Sequence, residues 1–419
     1  MARRLLQYGA GNIGRSFIGQ LFSRSGWEVV FVDIDDLIVD ALNRYGRYRV
    51  EVRDINPQTI WVKNVRAVHG RDTERVVEEI ATCDIMATAV GPGALPYIYP
   101  TVARGLVNRR QMGNGPLDII ICENLRNASE VFRSGLLQYL PADYPLDSLV
   151  GLVETSIGKM VPIMTEEQRR KDSLLVFAEA FNTLIVDKKG FKGGVPDVEG
   201  IDAKENIDAY VDRKSFIHNL GHAVTAYLGY LVNPETVYIW QAIDDEHIRK
   251  AVQGAMWESA RALIADYPGE FNEENHSEYI SDLIRRFGNR SLGDTIYRVG
   301  RDLPRKLSSD DRLIGALRLD LRHGIFAPYT ILGTAAAMLF RGKDRDGRLF
   351  KNDRRFAEEV YPRGIDHVLR EICGLDPDKE QERRLMESIK RAHQFLRRRD
   401  PTRSDWLVHY CGHAGIAPD

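Results

Sequence analysis

The sequence predicts an α/β fold, in which an N-terminal doubly wound parallel sheet is followed by a mostly α-helical C-terminal domain. Two observations support this prediction. In the first half of the chain, short apolar runs alternate with amphipathic stretches, whereas strand signals nearly vanish after about residue 200. An alternation of strands and helices is typical of βαβ units, whose right-handed crossovers build a parallel sheet.

Each element follows from its residue pattern. The apolar runs that predict strands are Leu5–Tyr8, Val29–Val32, Ile85–Val90, Leu117–Cys122 and Leu149–Val153. The stretches with helical periodicity are Ser16–Ser25, Thr73–Thr82, Ser215–Leu231, Asp245–Asp266, Asn275–Phe287, Gly324–Phe340 and Lys379–Arg398. Between them, the glycines and charges of DKKGFKGGVPDVEG (187–200) predict a boundary. We therefore expect a first domain of residues 1–192 and a second of residues 193–419.

Composition narrows the class of function. The 419 residues include 58 Lys and Arg and 60 Asp and Glu, a net charge of −2 that argues against a nucleic acid or an anionic membrane as partner. The longest uncharged runs, Ile85–Ala103 and Ser215–Pro234, contain prolines or polar residues and read as protein interior. The four cysteines are widely spread, which argues against a disulfide scaffold or a structural zinc site and fits a reducing, cytoplasmic compartment: Cys83, Cys122, Cys373 and Cys411. We expect a monomer or small homo-oligomer.

A glycine-rich motif predicts a dinucleotide site. Gly9-Ala10-Gly11-Asn12-Ile13-Gly14 is a GxGxxG that follows a predicted strand and precedes a helical pattern. Gly9 permits the tight turn, Gly11 lets the backbone approach a pyrophosphate, and Gly14 lets the helix pack against the strand. The helix N-terminus then offers N–H groups to the phosphates. This context predicts a Rossmann-type domain, with Asn12 and Ile13 also at the cofactor.

Acidic residues favour NAD over NADP. Asp33 ends the second predicted strand, where a carboxylate would accept hydrogen bonds from the ribose hydroxyls. Asp35 and Asp36 add negative charge that would repel a 2′-phosphate. A second glycine-rich loop, which includes Val90 and Gly91, follows another buried strand and is expected to lie along the nicotinamide ribose.

A mostly apolar helix with a polar stripe predicts the catalytic group. At about 100° per residue, with Lys214 at zero, His218 lies near 40°, His222 near 80° and Asn219 near 140°. Burial lowers the pKa of a lysine, which suits a general base. The alternative is a polar seam that the neighbouring domain satisfies.

An ordered series of segments resembles the polyol-specific long-chain dehydrogenases, the mannitol dehydrogenase family. It spans about residues 5–340 and comprises YGAGNIGRSFIG, TAVGPGAL, CENL, DRKSFIHNLGHAVTAYLG and DTIYRVGRDLPRKLSSDDRLI. The resemblance implies that Lys214 is the general acid/base, that Asn219 and Asn124 hold the reacting oxygen, and that His222 positions substrate or lysine. It also implies substrate contacts for Arg298 and Lys306, and no metal.

The series is most similar to the branch of the family that acts on mannitol 1-phosphate. We therefore expect interconversion of a sugar alcohol phosphate and a keto-sugar phosphate, with Arg301 and Arg305 on the phosphate. A solvated salt-bridge loop is the alternative for these cations. One departure is Gly158-Lys159, where the family usually carries Asp-Arg. A hexuronate reductase for fructuronate or tagaturonate, an unphosphorylated polyol dehydrogenase such as mannitol 2-dehydrogenase, and a non-catalytic NAD-binding protein therefore remain alternatives.

Overall fold

The chain folds into two compact units, Met1–Val211 and Asp212–Asp419. The computed structural model describes residues 3–54, 56–162, 164, 166–398, 404–407 and 410. Cys411 lies outside this part. The expected domain boundary after residue 192 falls within the first unit, because a strand formed by Ile201–Lys204 still belongs to its sheet.

The first unit is built mostly on parallel strands. The strands are β1 (Arg4–Tyr8), β2 (Glu28–Asp33), β3 (Arg47–Val52), β4 (Gln58–Lys63), β5 (Val65–His69), β6 (Ile85–Thr88), β7 (Leu117–Ile121), β8 (Val150–Ser156), β9 (Val176–Ala178), β10 (Leu184–Asp187) and β11 (Ile201–Lys204). Within the described residues they form an eight-stranded sheet of order β11-β10-β8-β7-β6-β1-β2-β5 and a three-stranded sheet of order β4-β3-β9, in which only β8–β10 and β3–β4 pair antiparallel.

The strand order fixes where a ligand would bind. The chain reverses its direction of progress across the large sheet between β1 and β6, and such a switch point is the usual ligand site of doubly wound sheets. The five predicted strands correspond to β1, β2, β6, β7 and β8. Buried apolar clusters cover both faces of the sheet, which explains why these strands are mostly apolar.

The helices of the first unit pack on this sheet. They are α1 (Gln20–Arg24), α2 (Asp36–Tyr45), α3 (Thr73–Thr82), α4 (Leu95–Gln111), α5 (Ala128–Leu137), α6 (Leu146–Leu149) and α7 (Glu166–Lys171), and α8 (Ile207–Arg213) crosses the border between the units. A wide turn with π-type hydrogen bonding, Gly14–Gly19, directly precedes α1. The fold class expected from the sequence is therefore confirmed for this half.

The second unit is mostly helical, as predicted. Its helices are α9 (Leu220–Val232), α10 (Ile239–Asp244), α11 (Glu246–Asp266), α12 (Glu273–Phe287), α13 (Ile296–Gly300), α14 (Leu303–Lys306), α15 (Ile314–Arg322), α16 (Pro328–Leu339), α17 (Lys351–Arg355), α18 (Ile365–His367) and α19 (Glu380–Arg398). Helix α19 packs against α16, because Leu385, Ile389, Ala392 and Leu396 recur at helical spacing and are buried.

Two findings concern the described residues alone. No helix among them is both long enough and apolar enough to cross a membrane. They also contain no group of three or more His, Cys, Asp or Glu side chains that could hold a metal ion. The described cysteines, Cys83, Cys122 and Cys373, are free thiols and are buried.

Candidate active site

The glycine-rich loop follows β1, and its three glycines meet different constraints. Gly9 has a φ of +96°, and a Cβ there would lie 2.5 Å from the carbonyl oxygen of Ala89, so only glycine fits. A Cβ on Gly14 would overlap the carbonyl oxygen of Gly9. By contrast, a Cβ on the exposed Gly11 would meet no described atom within 4 Å. The loop therefore leaves open space beside Gly11, as the close approach of a pyrophosphate requires.

The helix that follows the loop starts at Asn12 and carries a residue that sequence reasoning missed. Ile13 packs against the core of the first unit, and the Arg15 side chain is buried. Its Nε donates to the carbonyl oxygen of Ala10 at 2.6 Å, and its Nη1 donates to that of Ser173 at 3.0 Å. Arg15 thus ties the loop to the rest of the unit, and its place directly after the GxGxxG motif was the available signal.

Asp33 lies at the carboxyl end of β2 and orders the glycine-rich loop. Its Oδ2 accepts a hydrogen bond of 2.6 Å from the N–H of Ala10, and its Oδ1 accepts one of 2.8 Å from the N–H of Ile34. The side chain remains partly exposed. The N–H of Asp35 donates a third hydrogen bond to Oδ1 at 3.1 Å, and because a carboxylate can accept about four, it retains capacity for a ribose hydroxyl. That second role stays a prediction.

The loop after β6 is held by a residue that sequence reasoning passed over. The carboxylate of Glu123 accepts hydrogen bonds from the N–H groups of Val90 at 2.9 Å and Gly91 at 2.8 Å. Burial raises the pKa of Glu123, and these two amides oppose that rise. Gly91 has a φ of +89° and, like Gly11, faces open space. The signal available in the sequence was the polar pair Glu123-Asn124 at the end of an apolar strand.

These residues fit a dinucleotide. The glycine-rich loop, Asp33 and the 89–91 loop all lie at carboxyl ends of neighbouring strands around the switch point. Asn124, the predicted oxyanion donor, follows β7 at the same edge and is exposed. The two open glycine positions provide room that a side chain would otherwise fill. The structure thus brings the predicted cofactor residues together, along with Asn124.

In the second unit, the lysine motif coincides with an irregular turn of a long helix. Residues Lys214–Asn219 form a π-type turn between α8 and α9, and the N–H of Leu220 donates to the carbonyl oxygen of Ser215, five residues earlier. Such i→i+5 bonding widens the turn and brings residues five apart towards one face. Lys214 and Asn219 are five apart. The π-type turn therefore draws them closer around the helix axis than the regular α-helix assumed from the sequence.

The environment of Lys214 makes its neutral amine more accessible than that of an ordinary lysine. Burial, together with the positive charges of Arg312 and Arg305, lowers the pKa of Lys214 to about 8, and Asp311 partly opposes this. All of these groups belong to the second unit. A lysine with such a pKa exchanges protons readily near neutral pH, as a general acid/base must.

His222 is fixed from two sides. Its ring stacks on Phe287 with centroids 4.7 Å apart, and its Nε2 lies 3.0 Å from Oδ2 of Asp294. Arg298 binds the same carboxylate through two nitrogens: its Nε donates to Oδ1 at 2.6 Å and its Nη2 donates to Oδ2. Burial works to raise the pKa of Asp294, but His222 and Arg298 hold it well below its ordinary value. Sequence reasoning missed Asp294, although its spacing to Arg298 is that of a helical ion pair.

His218 shares the polar stripe without joining this ion-pair network. It is buried, its ring centroid lies 6.2 Å from that of His222, and its Nδ1 has no hydrogen-bond partner among the described residues. Burial, and then Arg286, lower its pKa well below the ordinary value. His218 is therefore a neutral ring beside the lysine.

The cationic segment, Arg298–Lys306, contains the four residues predicted to bind substrate. Most of its cations already have partners in the second unit. Arg305 donates from Nε to Asp302 at 2.6 Å and lies 3.1 Å from Asp311. Nζ of Lys306 is buried and donates to backbone carbonyl oxygens of Val299 and of Arg301. Together with the Arg298–Asp294 pair, these contacts favour the salt-bridge interpretation for Arg298 and Arg305, whereas the buried Lys306 is held by backbone carbonyl oxygens.

Arg301 differs from its neighbours. Its guanidinium lies 5.7 Å from the ring centroid of Tyr297 and 5.2 Å from that of Phe350. Among the described residues, no carboxylate forms an ion pair with it. Arg301 is therefore the member of the cationic segment whose charge is available to an anion.

The departure at Gly158-Lys159 has a local explanation. Lys159 is buried in the first unit, where its Nζ donates to Oδ1 of Asn182 at 2.8 Å and lies 5.0 Å from the centroid of the Phe17 ring. Glu154, which could replace the missing aspartate, accepts hydrogen bonds from Ser129. Both side chains thus have partners inside the first unit.

Comparison with known proteins covers both units. The model of the mannitol dehydrogenase Rossmann domain matches residues 3–200, and the model of the mannitol dehydrogenase C-terminal domain matches residues 206–366. The chain is similar to Pseudomonas fluorescens mannitol 2-dehydrogenase in its ternary complex with NAD and D-mannitol, with a TM-score of 0.77, 16% identity, and coverage of 100% of this chain and 95% of that one. It is also similar to D-sorbitol dehydrogenase in substrate-free form, with a TM-score of 0.78, 16% identity, and coverage of 96% and 95%.

Proposed function

Because this chain belongs to the mannitol dehydrogenase family, we propose that it is an NAD-dependent oxidoreductase that interconverts an unphosphorylated polyol and its keto sugar. The observation that carries the proposal is Lys214, whose amine has a pKa of about 8 and belongs to the same π-type turn as Asn219. This pair forms the core of the proposed catalytic set.

The proposed mechanism assigns each residue a step. Bound NAD⁺ supplies the hydride acceptor for the carbinol carbon. The neutral amine of Lys214 takes the proton of the reacting hydroxyl, so that alcohol and amine become ketone and ammonium as the hydride leaves. The side-chain amides of Asn219 and Asn124 donate hydrogen bonds to the reacting oxygen and stabilise the charge that develops on it. His222, held by Asp294 and Phe287, orients the substrate hydroxyl.

The carboxylates at the end of β2 support NAD as the cofactor. Asp33 is fixed by the N–H of Ala10 next to the open side of the glycine-rich loop. Asp35 caps α2 and Asp36 is exposed beside it. Three acidic groups around the adenosine ribose would repel the 2′-phosphate of NADP. The buried thiols of Cys83, Cys122 and Cys373 also support a reducing compartment, so the cytoplasm remains our proposed location.

Charge matching in the cationic segment supports the unphosphorylated substrate. A phosphate dianion needs cationic donors that are not already neutralised. Arg298 is paired with Asp294, and Arg305 is paired with two aspartates. The similarity to mannitol 2-dehydrogenase and D-sorbitol dehydrogenase points the same way. We therefore place the mannitol 2-dehydrogenase type first and the mannitol 1-phosphate type second.

The second candidate rests on Arg301. Its available charge favours an anionic substrate, either a sugar phosphate such as fructose 6-phosphate or a hexuronate such as fructuronate or tagaturonate. The substitution Arg301→Met distinguishes the two candidate functions. Under the first candidate, the KM for fructose stays within about twofold of wild type, because no anion is bound. Under the second, the KM for the anionic substrate rises about tenfold or more, as loss of a charged hydrogen bond requires.

The decisive experiment follows NADH oxidation by the purified protein with fructose, fructose 6-phosphate, fructuronate and tagaturonate. We expect the highest kcat/KM with fructose. A higher value with an anionic sugar would favour the second candidate. NADH binding without turnover of any of the four, or of the matching polyols with NAD, would refute the proposed oxidoreductase function and favour a binding protein.

A further inference from the structure

The cationic segment contains a strained residue. Asp302 has φ +71° and ψ +51°, a left-handed conformation that residues other than glycine rarely adopt. Such backbone persists only where surrounding contacts over-determine it, and it concentrates at functional sites. The contacts that hold Asp302 come from a distant part of the second unit.

Asn352 and Asp353 supply these contacts, and we call the segment Phe350–Asp353 the brace. The carboxylate of Asp353 accepts hydrogen bonds from the N–H of Asp302 at 3.0 Å and from the N–H of Leu303 at 2.6 Å. Nδ2 of Asn352 donates to Oδ1 of Asp302 at 3.0 Å. The brace thus binds both the backbone and the side chain of the strained residue.

Phe350, the first residue of the brace, lies near Arg301, the cation whose charge is available to an anion. The ring of Phe350 lies 5.2 Å from the guanidinium of Arg301, which also lies 5.7 Å from the ring of Tyr297. Asp353 is 2% exposed, so solvent does not compete for its two hydrogen bonds. Burial raises the pKa of Asp353, while the two N–H groups oppose that rise.

Asp302 connects the brace to Arg305, which in turn acts on Lys214. Its Oδ2 accepts from Nε of Arg305 at 2.6 Å, so the brace fixes one carboxylate oxygen of Asp302 and Arg305 binds the other. Arg305 is one of the charged groups that act on Lys214. The other charged groups that act on it are Arg312 and Asp311, and the neutral His218 is coupled to it.

We propose that the brace is a positioning device for the substrate side of the active site, with Asp353 as its principal positioning residue. The proposal rests on the proposed function, because it assumes that the cationic segment faces a polyol or keto sugar. Asp353 itself touches neither substrate nor cofactor. It acts by holding Asp302 left-handed, and Asp302 in turn orients Arg305 and sets the backbone that follows Arg301.

A purely structural cap is the rival explanation, and the first unit offers a matched control. Asp118 is 5% exposed and also accepts hydrogen bonds from two consecutive N–H groups, those of Lys192 at 2.7 Å and Gly193 at 3.0 Å. It lies near the start of β7, at the edge of the sheet opposite the cofactor loops. Asp118→Asn and Asp353→Asn therefore remove the same kind of restraint in different places.

The experiment compares wild type, Asp353→Asn, Asn352→Ala and Asp118→Asn in NADH-dependent reduction of fructose. Asn352→Ala removes only one exposed hydrogen bond, so it tests the same restraint even if Asp353→Asn does not fold. In Asp353→Asn we expect the KM for fructose to rise about tenfold, as for a small displacement of positioning groups, with the KM for NADH within about twofold of wild type. Asn352→Ala should shift the KM for fructose in the same direction by a smaller factor.

A pH profile supplies a second readout. Arg305 lowers the pKa of Lys214, so releasing Arg305 should move the pH limb of polyol oxidation upwards in Asp353→Asn. Asp118→Asn should lower only the melting temperature. Suppose that the wild type is active, and that Asp353→Asn and Asn352→Ala melt at lower temperatures but keep the wild-type KM for fructose and the wild-type pH limb. That result would overturn the inference about the brace and leave the proposed function intact. A wild type that reduces no sugar of the panel overturns the proposed function, and the inference with it.

Discussion

The pKa of Lys214 makes a quantitative prediction about the pH dependence of catalysis. At pH 7, an amine of ordinary pKa 10.5 is neutral in about one molecule in 3,000, whereas an amine of pKa about 8 is neutral in about one in ten. The environment of Lys214 therefore raises the concentration of the working base about 300-fold at that pH. Polyol oxidation needs the neutral amine, and reduction of the keto sugar needs the ammonium form.

The assay is kcat/KM against pH in both directions. Oxidation of D-mannitol with NAD should rise with pH and level off above about 8, and reduction of fructose with NADH should fall through the same pH. Lys214→Ala should lose about 10²- to 10⁴-fold in kcat, the usual contribution of a general acid/base, and should lose this pH limb. NADH binding should persist, because the glycine-rich loop and Asp33 belong to the first unit.

The matched control is Lys250→Ala, since Lys250 is an exposed lysine of α11 that pairs with Glu246 on the same helix. This variant should keep the wild-type rate and pH limb. Near-normal turnover in Lys214→Ala, or a limb near pH 8 that survives the substitution, would refute the assignment of Lys214 as the general base.

Two further predictions concern carboxylates. Asp33→Ala should weaken NAD binding about tenfold and narrow the preference over NADP, because it frees the N–H of Ala10 and removes a charge that repels a 2′-phosphate; fluorescence titration with NADH and NADPH measures both effects. Asp320→Asn should raise the free energy of unfolding at pH 9 by about 1–3 kcal/mol and change it little at pH 4, because the wild-type carboxyl is buried without a hydrogen-bond partner among the described residues; urea denaturation at the two pH values measures it.

The sign of the Asp320 effect follows from proton linkage. Burial and the neighbouring Glu258 raise the pKa of Asp320 to about 8 in the folded protein, whereas the unfolded chain loses this proton near its ordinary value of 3.8. The stabilising contribution of the protonated carboxyl is therefore complete below about pH 4 and is lost progressively as the pH rises to about 8. An equal gain at pH 4 and pH 9 would contradict this account, and an unchanged NADP preference in Asp33→Ala would contradict the ribose role.

Much of the fold could be read from local sequence, because its signals lie within single elements. The GxGxxG motif depends on one turn, and the buried strands β1, β2 and β6 are mostly apolar. The small second sheet was not predicted, because the predicted strands are mostly apolar runs, whereas β3 (RYRVEV) alternates polar with apolar residues. Besides its neighbour β4, β3 pairs with β9, which lies more than 120 residues later. Pairing over such a distance leaves no local signature.

The candidate site was predictable only in part, for the same reason. Lys214, Asn219 and His222 share one helix, so their spacing was informative. Glu123 and Asp353 act by accepting backbone N–H groups of loops far along the chain, and no spacing rule reveals such bonds. The cationic segment suggested a phosphate site because its arginines cluster, but interleaved aspartates neutralise two of the three.

The π-type turn at Lys214–Asn219 has a consequence for how this helix can tolerate change in length. A π-type turn accommodates one more residue than a regular helical turn, while α8 and α9 on either side keep their own packing. Deleting one residue here would restore regular hydrogen bonding and leave α9 in nearly its present orientation relative to α8, because the extra residue is absorbed within the wide turn. The packing of the second unit would then survive the deletion while the spacing of Lys214 and Asn219 would change, so this single residue serves the arrangement of the catalytic groups rather than the folding of the unit.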